Sequence, residues 1–304
     1  VLEDGRGAVD AHPIRGPIKA PQELAVRRGD ADQRVGGELD VLSLPVEVDC
    51  DSRGIGRTRT AKATATATTG PTAAAARDPI FEVEETIQLR IRIFQGPVTA
   101  PDILFFHGNG EIVADYDELG AVYNQMGINF LAVDYRGYGR STGKPTVTAM
   151  MKDCHTILEF VRKWLEENKF TGPVFLMGRS LGSASVLELA AAYPDLTDGL
   201  IIESGFAYAA PLLNLLGINI EALGFREAQG FRNIDKMKTF NKAALIIHAE
   251  FDHIIPYSDG QTLYDASPSK AKQLLKIPGA NHNDIFRRGL QEYLAAVKNI
   301  VETV

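Results

Sequence analysis

Aromatic side chains are missing from the first quarter of this 304-residue chain: no Phe, Tyr or Trp occurs between Val1 and Asp78. Apolar residues stand there singly among Gly, Ala, Arg, Asp and Thr, as in the tract from Thr60 to Thr69. A segment with so little to bury cannot offset the backbone entropy lost on ordering, about 1–2 kcal/mol per residue. Residues 1–78 are therefore expected to form a disordered extension. Its 11 basic and 12 acidic residues nearly balance, which excludes a basic nucleic-acid-binding arm, and a transit peptide would be poor in acids and rich in Ser. The first methionine is Met126, which leaves an upstream start or a shifted reading frame open.

Other absences narrow the class further. Only two cysteines occur, Cys50 and Cys154, in segments of different character, so no disulfide framework is indicated. Lys and Arg number 32 against 39 Asp and Glu, a net charge of −7. A surface of that balance does not neutralise phosphates, and nucleic acid is excluded as a partner. No run approaches 18 apolar residues, so no stable membrane insertion is expected, and the beginning of the chain has no apolar segment of the signal-peptide kind. A cytoplasmic protein is the expectation. Oligomeric state is not legible.

The rhythm changes at Pro79. Short runs of branched and aromatic residues, Ile87 to Phe94, Ile103 to Phe106, Ile128 to Val133, Val174 to Met177, Leu200 to Ile202, Ala244 to His248 and Gln273 to Ile277, read as strands. Between them lie stretches of 3.6-residue periodicity. In Thr148 to Glu167, for example, Met151, Ile157, Leu158, Val161 and Leu165 share a face, and Ser183 to Tyr193 is stopped by Pro194. Alternation of strand and helix implies an α/β fold with a mostly parallel central sheet and helices on both faces, because parallel neighbours need crossovers. One domain over residues 79–304 is expected.

Within it, Gly178-Arg179-Ser180-Leu181-Gly182 joins a strand-like run to a helical one. That setting is what a Gly-x-Ser-x-Gly nucleophile elbow requires: a strained turn exposes the serine, and neighbouring positions must lack side chains that would strike the strand and helix. Ser180 is the candidate nucleophile, and the Leu181 amide at the helix start a candidate oxyanion donor. A serine hydroxyl needs a base held by a carboxylate. His282, after the last strand, and Asp252, after the strand Ala244 to His248, follow in the expected order. Glu250 and Asp259 remain alternative acids. His253 competes as base but shares the acid's loop. His12 falls in the extension, His155 on a helix and His248 inside a strand. The loop His107-Gly108-Asn109-Gly110-Glu111 follows the strand ending in Phe106 and should supply the second oxyanion donor, the Asn109 amide or alternatively that of Gly110.

Five blocks, His107 to Glu111, Asp134 to Ser141, Gly178 to Gly182, Asp252 to Pro256 and Gly279 to His282, together resemble bacterial α/β-hydrolases of the serine-aminopeptidase-like and monoacylglycerol-lipase-like kind. The resemblance runs from about residue 80 to the end of the sequence. It implies the α/β-hydrolase fold, with Arg136 bracing the site, and a small cap at about residues 206–240. Leu212, Leu216 and Ile218 in that segment are expected to line an acyl pocket. The expected activity is cleavage of a small-molecule ester or other acyl substrate through an acyl-enzyme on Ser180, with no metal or organic cofactor. A peptidase or amidase, a thioesterase using the same triad, and a catalytically silent binding protein are the rivals. Activity is expected to fall as His282 protonates, near the ordinary histidine pKa of about 6.5.

Overall fold

The computed structural model describes residues 76–304 apart from 85, 216–218 and 223. The expected extension thus lies outside the described residues except for its last three. Two of these already belong to the folded part: Arg77 exchanges backbone hydrogen bonds of 2.9 and 2.8 Å with Ile93, and Asp78 pairs with Arg92 at 2.8 Å.

Eight strands form one sheet: β1 (Ile80–Glu84), β2 (Ile87–Phe94), β3 (Asp102–Phe106), β4 (Asn129–Val133), β5 (Val174–Arg179), β6 (Gly199–Glu203), β7 (Ala243–Ala249) and β8 (Lys272–Ile277). Their order is β1-β2-β4-β3-β5-β6-β7-β8. The first two pairings are antiparallel and the remaining five parallel. Strands β3 to β7 are buried along their length, as the near-continuous apolar runs of a doubly covered sheet require. Strand β1 escapes the sequence reading because it is short and one of its faces is charged. Only Phe81 and Val83 face inward, and Phe81 stacks on Phe160 with ring centroids 4.3 Å apart.

Helices α1 (Asp117–Gln125) and α7 (Ile285–Val301) cover one face of the sheet, through Leu119, Tyr123, Tyr293, Val297 and Ile300. The other face carries α2 (Val147–Glu167), α3 (Gly182–Ala192), α5 (Asn233–Met237) and α6 (Tyr257–Ala266). Helix α2 starts where the Thr146 hydroxyl accepts the Ala149 amide at 3.0 Å, a side-chain N-cap, and buries the stripe Met150, Cys154, Ile157, Leu158, Val161 and Leu165. Between β6 and β7 the described residues form α4 (Ala209–Leu215), a 3₁₀ turn at Glu227–Gln229 and α5. No helix among the described residues is long and apolar enough to cross a membrane.

Parallel pairing brings the carboxyl ends of β3, β5, β6, β7 and β8 to one edge. Phe106 pairs with Gly178, Arg179 with Glu203, Glu203 with Ile247 and Ala249 with Ile277. The loops that leave these ends carry every proposed catalytic group, the crevice position usual for open α/β sheets.

The core makes a direct test. Phe130 is fully buried among Phe94, Phe105 and Tyr123, whereas Ile80 on the edge strand is 54% exposed. Phe130→Ala is expected to cost about 3–5 kcal/mol in urea unfolding, and Ile80→Ala less than about 0.5 kcal/mol. Equal effects would contradict the placement of the core.

Candidate active site

Ser180 sits at φ +50°, in the left-handed region, on the turn between β5 and α3. A non-glycine residue there is strained by about 1–3 kcal/mol and persists only when its surroundings fix it. They do so closely. The Ser180 amide donates to Glu203 O at 2.8 Å, and its carbonyl accepts the Ser183 amide at 3.0 Å and the Ser183 hydroxyl at 2.6 Å. A Cβ on Gly178 would stand 2.4 Å from Gly182 O, and one on Gly182 only 2.1 Å from Phe106 O. Both glycines are therefore required by close backbone approach, as the motif predicts. Ser180 is 9% exposed, and its hydroxyl makes no hydrogen bond among the described residues.

Asp252 and His282 meet. Nδ1–H of His282 donates to Asp252 Oδ2 at 2.7 Å, the tautomer an ionised carboxylate imposes, which leaves the Nε2 lone pair to accept a proton. Asp252 Oδ1 accepts the amides of Ile254 and Ile255 at 3.0 and 2.9 Å. Beyond the strand ends the two loops are laced together. Glu250 N donates to Ile277 O, Phe251 N to Ala280 O and Gly279 N to Glu250 Oε2, at 3.1, 2.8 and 2.9 Å. The rival acids are engaged elsewhere: Glu250 also pairs with Lys276 at 3.0 Å, and Asp259 accepts the Ala207 amide at 2.9 Å. His253 is exposed. His248 is buried and hydrogen-bonds Ile255 O through Nε2 at 2.9 Å, steadying the acid's loop.

Burial pushes the His282 imidazole below its ordinary pKa. The Asp252 hydrogen bond opposes that shift, and the nearby Arg179 charge adds to it. Burial acts upward on the Asp252 carboxyl but is outweighed by the hydrogen bond and charge of His282 and by the Ile255 amide, so Asp252 stays below the usual carboxylate range. The pair rests as neutral imidazole and carboxylate, which is the state a general base needs.

In the 107–111 loop the Gly108 amide donates to Glu111 Oε2 at 2.7 Å and Gly110 takes φ +80°. Asn109 Oδ1 accepts the Tyr138 hydroxyl at 2.6 Å. The backbone amides of Asn109 and Leu181 meet no acceptor among the described residues. Arg136 reaches Asp153 on α2 at 2.5 Å and Glu84 on β1 at 3.3 Å, holding the 134–141 loop against the body of the domain. In the cap segment Leu212 packs half-buried against the core, while Leu216 and Ile218 lie outside the described residues.

Three charged residues at this edge escape the sequence reading. Arg179 Nε pairs with Glu111 at 2.9 Å, its Nη1 with Glu203 at 3.4 Å, and its Nη2 donates to His282 O at 3.0 Å. A signal for two of them is present in the sequence. Arg179 and Glu203 each end an otherwise apolar strand, and charges entering a core must find one another.

Gly182→Ala and Gly178→Ala are each expected to cost about 1–3 kcal/mol or more, because the displaced atoms are backbone that cannot swing aside. Thermal unfolding checks this. Wild-type stability in both variants would mean that α3 does not approach β3 this closely.

Comparison with known proteins agrees with this architecture. Residues 99–223 match the family model described as serine aminopeptidase, S33. The uncharacterized protein YfhR of Salmonella typhi is 26% identical over 250 residues, covering 77% of this chain and 84% of that protein. Two Xenopus tropicalis proteins are each 30% identical. Alpha/beta hydrolase domain-containing protein 17C matches over 209 residues, 66% of this chain and 61% of its own length. The lysophosphatidylserine lipase ABHD12 matches over 213 residues, 62% of this chain and 54% of its own. The chain thus spans less than two thirds of these two relatives. Among solved structures, the monoacylglycerol lipase of Paleococcus ferrophilus superposes with a TM-score of 0.55 at 21% identity, over 71% of this chain and 99% of that one. That sheet order and those structural likenesses give the chain the α/β-hydrolase fold.

Proposed function

We propose that the protein is a serine hydrolase that cleaves small-molecule carboxylic esters through an acyl-enzyme on Ser180. The observation that carries this reading is the strained serine at φ +50° on a strand-to-helix turn, at the same sheet edge as a buried Asp252–His282 pair hydrogen-bonded at 2.7 Å. Strain of this kind clusters at functional sites; Ser204 shares it at φ +46°, so what supports the reading is the strained serine together with the Asp252–His282 pair.

The reaction follows from the groups present. His282 Nε2 takes the proton from Ser180 Oγ as the oxygen attacks the ester carbonyl. Asp252 stabilises the imidazolium without itself taking the proton. The negative charge that develops on the carbonyl oxygen is received by the amides of Asn109 and Leu181, a single such donor being worth about 2.7–4 kcal/mol in other hydrolases. Collapse of the tetrahedral intermediate expels the alcohol, which leaves with the proton from His282. A water activated by the same nitrogen then releases the acid.

An ester is favoured over a free amino-terminal substrate by the cap. An aminopeptidase needs carboxylates gathered to receive the ammonium group; here Glu227 has both oxygens on the amides of Ala209 and Ala210 at 2.7 and 3.1 Å, and Glu221 is exposed. The lipase names carried by relatives agree with ester chemistry.

Ser180→Ala is expected to fold normally and lose at least about 10³-fold in kcat on short p-nitrophenyl esters. Undiminished turnover would sink the assignment, and a parallel panel of thioesters and aminoacyl amides ranks the acyl chemistries. The pH profile is a separate test. The base works only when neutral, and its pKa is lowered, so kcat/KM should stay level through neutral pH and decline only through a midpoint below the ordinary value of about 6.5. A midpoint above that value would contradict the buried setting of His282.

A further inference from the structure

We propose that Arg179, the residue immediately before the nucleophile, is a positioning residue that holds the oxyanion loop and the base loop in register with Ser180. The inference rests on the serine-hydrolase reading above and adds to it the means by which three separate loops are set relative to one another.

Each arm of the guanidinium meets a different part of the site. Nε lies 2.9 Å from Glu111 Oε1, an ion pair without hydrogen-bond alignment. The other oxygen of Glu111 accepts the Gly108 amide at 2.7 Å and the Tyr116 hydroxyl at 2.5 Å, so the turn that presents Asn109 is tied to Arg179 through one carboxylate. Nη2 donates to the carbonyl of His282 itself at 3.0 Å. Nη1 lies 3.4 Å from Glu203, whose second oxygen accepts the Tyr293 hydroxyl at 2.8 Å and whose backbone oxygen accepts the Ser180 amide at 2.8 Å. The guanidinium is 2% exposed, so water does not compete for these arms.

Stability alone does not account for such a cluster. Well-packed apolar residues usually serve a core as well as or better than a buried ion pair, whose desolvation cost offsets its attraction. The planar guanidinium does what an apolar side chain cannot: it fixes the His282 carbonyl by a directed hydrogen bond while its charge faces two carboxylates on neighbouring elements. Lysine in the same place would keep the charge but, as a single point, could not span Glu111, Glu203 and His282 O together. Placement matters because a shift of about 1 Å in a reacting group can cost about 10²-fold in rate.

The groups facing this cluster define the pH readout. Arg179 is faced by Glu111, Glu203, Tyr116 and Tyr293, and Glu111 in turn by His107. His282 is faced by Asp252, Arg179 and Glu111, with Arg179 lowering its pKa and Glu111 raising it. His248 lies beyond, 3.6 Å from Asp252.

The test compares wild type, Arg179→Lys, Glu111→Gln and Ser180→Ala on a short-chain p-nitrophenyl ester. For the three chains that keep Ser180 it measures kcat per site titrated with a fluorophosphonate, KM and the acid limb of kcat/KM, for Ser180→Ala turnover per mole of protein, and for all four the thermal midpoint. Arg179→Lys is expected to lose about 10- to 100-fold in kcat with KM within about threefold and an unmoved acid limb, because the charge remains. Glu111→Gln is expected to show a similar kcat loss with the acid limb displaced to lower pH, because a charge that raises the His282 pKa is gone. A purely structural role would reduce the number of titratable sites and leave kcat per site intact. That result in the two variants, or failure of both to fold, would overturn the proposal; if only Arg179→Lys fails to fold, Glu111→Gln decides. Wild-type kcat per site in both variants with an inactive Ser180→Ala would reject the positioning role and spare the serine mechanism, whereas an active Ser180→Ala would reject the mechanism itself.

Discussion

A guanidinium cannot shed its charge, so one withdrawn from water must be met by counter-charge, and around Arg179 this requirement draws Glu111 and Glu203 to the carboxyl edge of the sheet. Its nearest counter-charge, Glu111 at 2.9 Å, has its carboxyl held below the ordinary range: burial acts upward, but Arg179, the Tyr116 hydroxyl and the Gly108 amide outweigh it. Glu203, farther off at 3.4 Å, is pushed upward by burial against the pull of Arg179 and Tyr293. The result is a graded cluster in which one carboxylate carries most of the pairing and the other is anchored from α7 by Tyr293. Elements from both ends of the described chain, the loop after β3 and the last helix, are thereby fastened to the residue before Ser180.

The nucleophile turn depends on a different constraint, that of space. Backbone at Gly182 comes so close to Phe106 O that no side chain fits, and the Ser180 amide is taken by Glu203 O. The left-handed conformation of Ser180 therefore survives because neighbouring backbone leaves the turn nowhere else to go. Ser204, in register one strand over, also has positive φ, +46°, and donates its amide to Ile247 O at 2.8 Å. Adjacent parallel strands thus end in the same kind of turn, and each passes its first post-strand amide to the next strand.

Much of this was legible in the sequence, and the exceptions have physical causes. Strands β3 to β7 announce themselves because both faces are covered and their residues run apolar, β2 because apolar residues alternate along its one buried face, and β8 through Leu274, Leu275 and Ile277. Strand β1 does not, because half of Ile80–Glu84 faces water. The elbow was legible because steric exclusion of side chains leaves glycine at fixed spacing, and the Asp252–His282 pair because each follows a strand in a parallel sheet. Arg179, Glu111 and Glu203 were not singled out because their partners lie far apart in sequence. Glu111 and Arg179 are 68 positions apart, and only the pairing of β3 with β5 brings them together. The pKa of His282 was misjudged for a related reason: a loop position suggests solvent, whereas the folded loop leaves the residue 5% exposed.

The two halves of the site are built to different tolerances, and that difference separates chemistry from selection of substrate. The acid and base sit on loops laced together by three backbone amides and then fixed to the nucleophile strand by Arg179, so their relative position is over-determined. Among the described residues, the segment between β6 and β7 is held to the body by Asp259, which accepts the Ala207 amide at 2.9 Å, and by the Lys236–Glu188 pair at 2.5 Å, and within itself by Glu227 on the two amides at the start of α4 and by Asn233 Nδ2, which donates to Phe206 O at 2.8 Å. Tyr208 in that segment and Phe251 beside the acid both leave large apolar surface in solvent, Phe251 being 67% exposed. A scaffold can vary such a segment without disturbing a triad whose supports all lie beneath it.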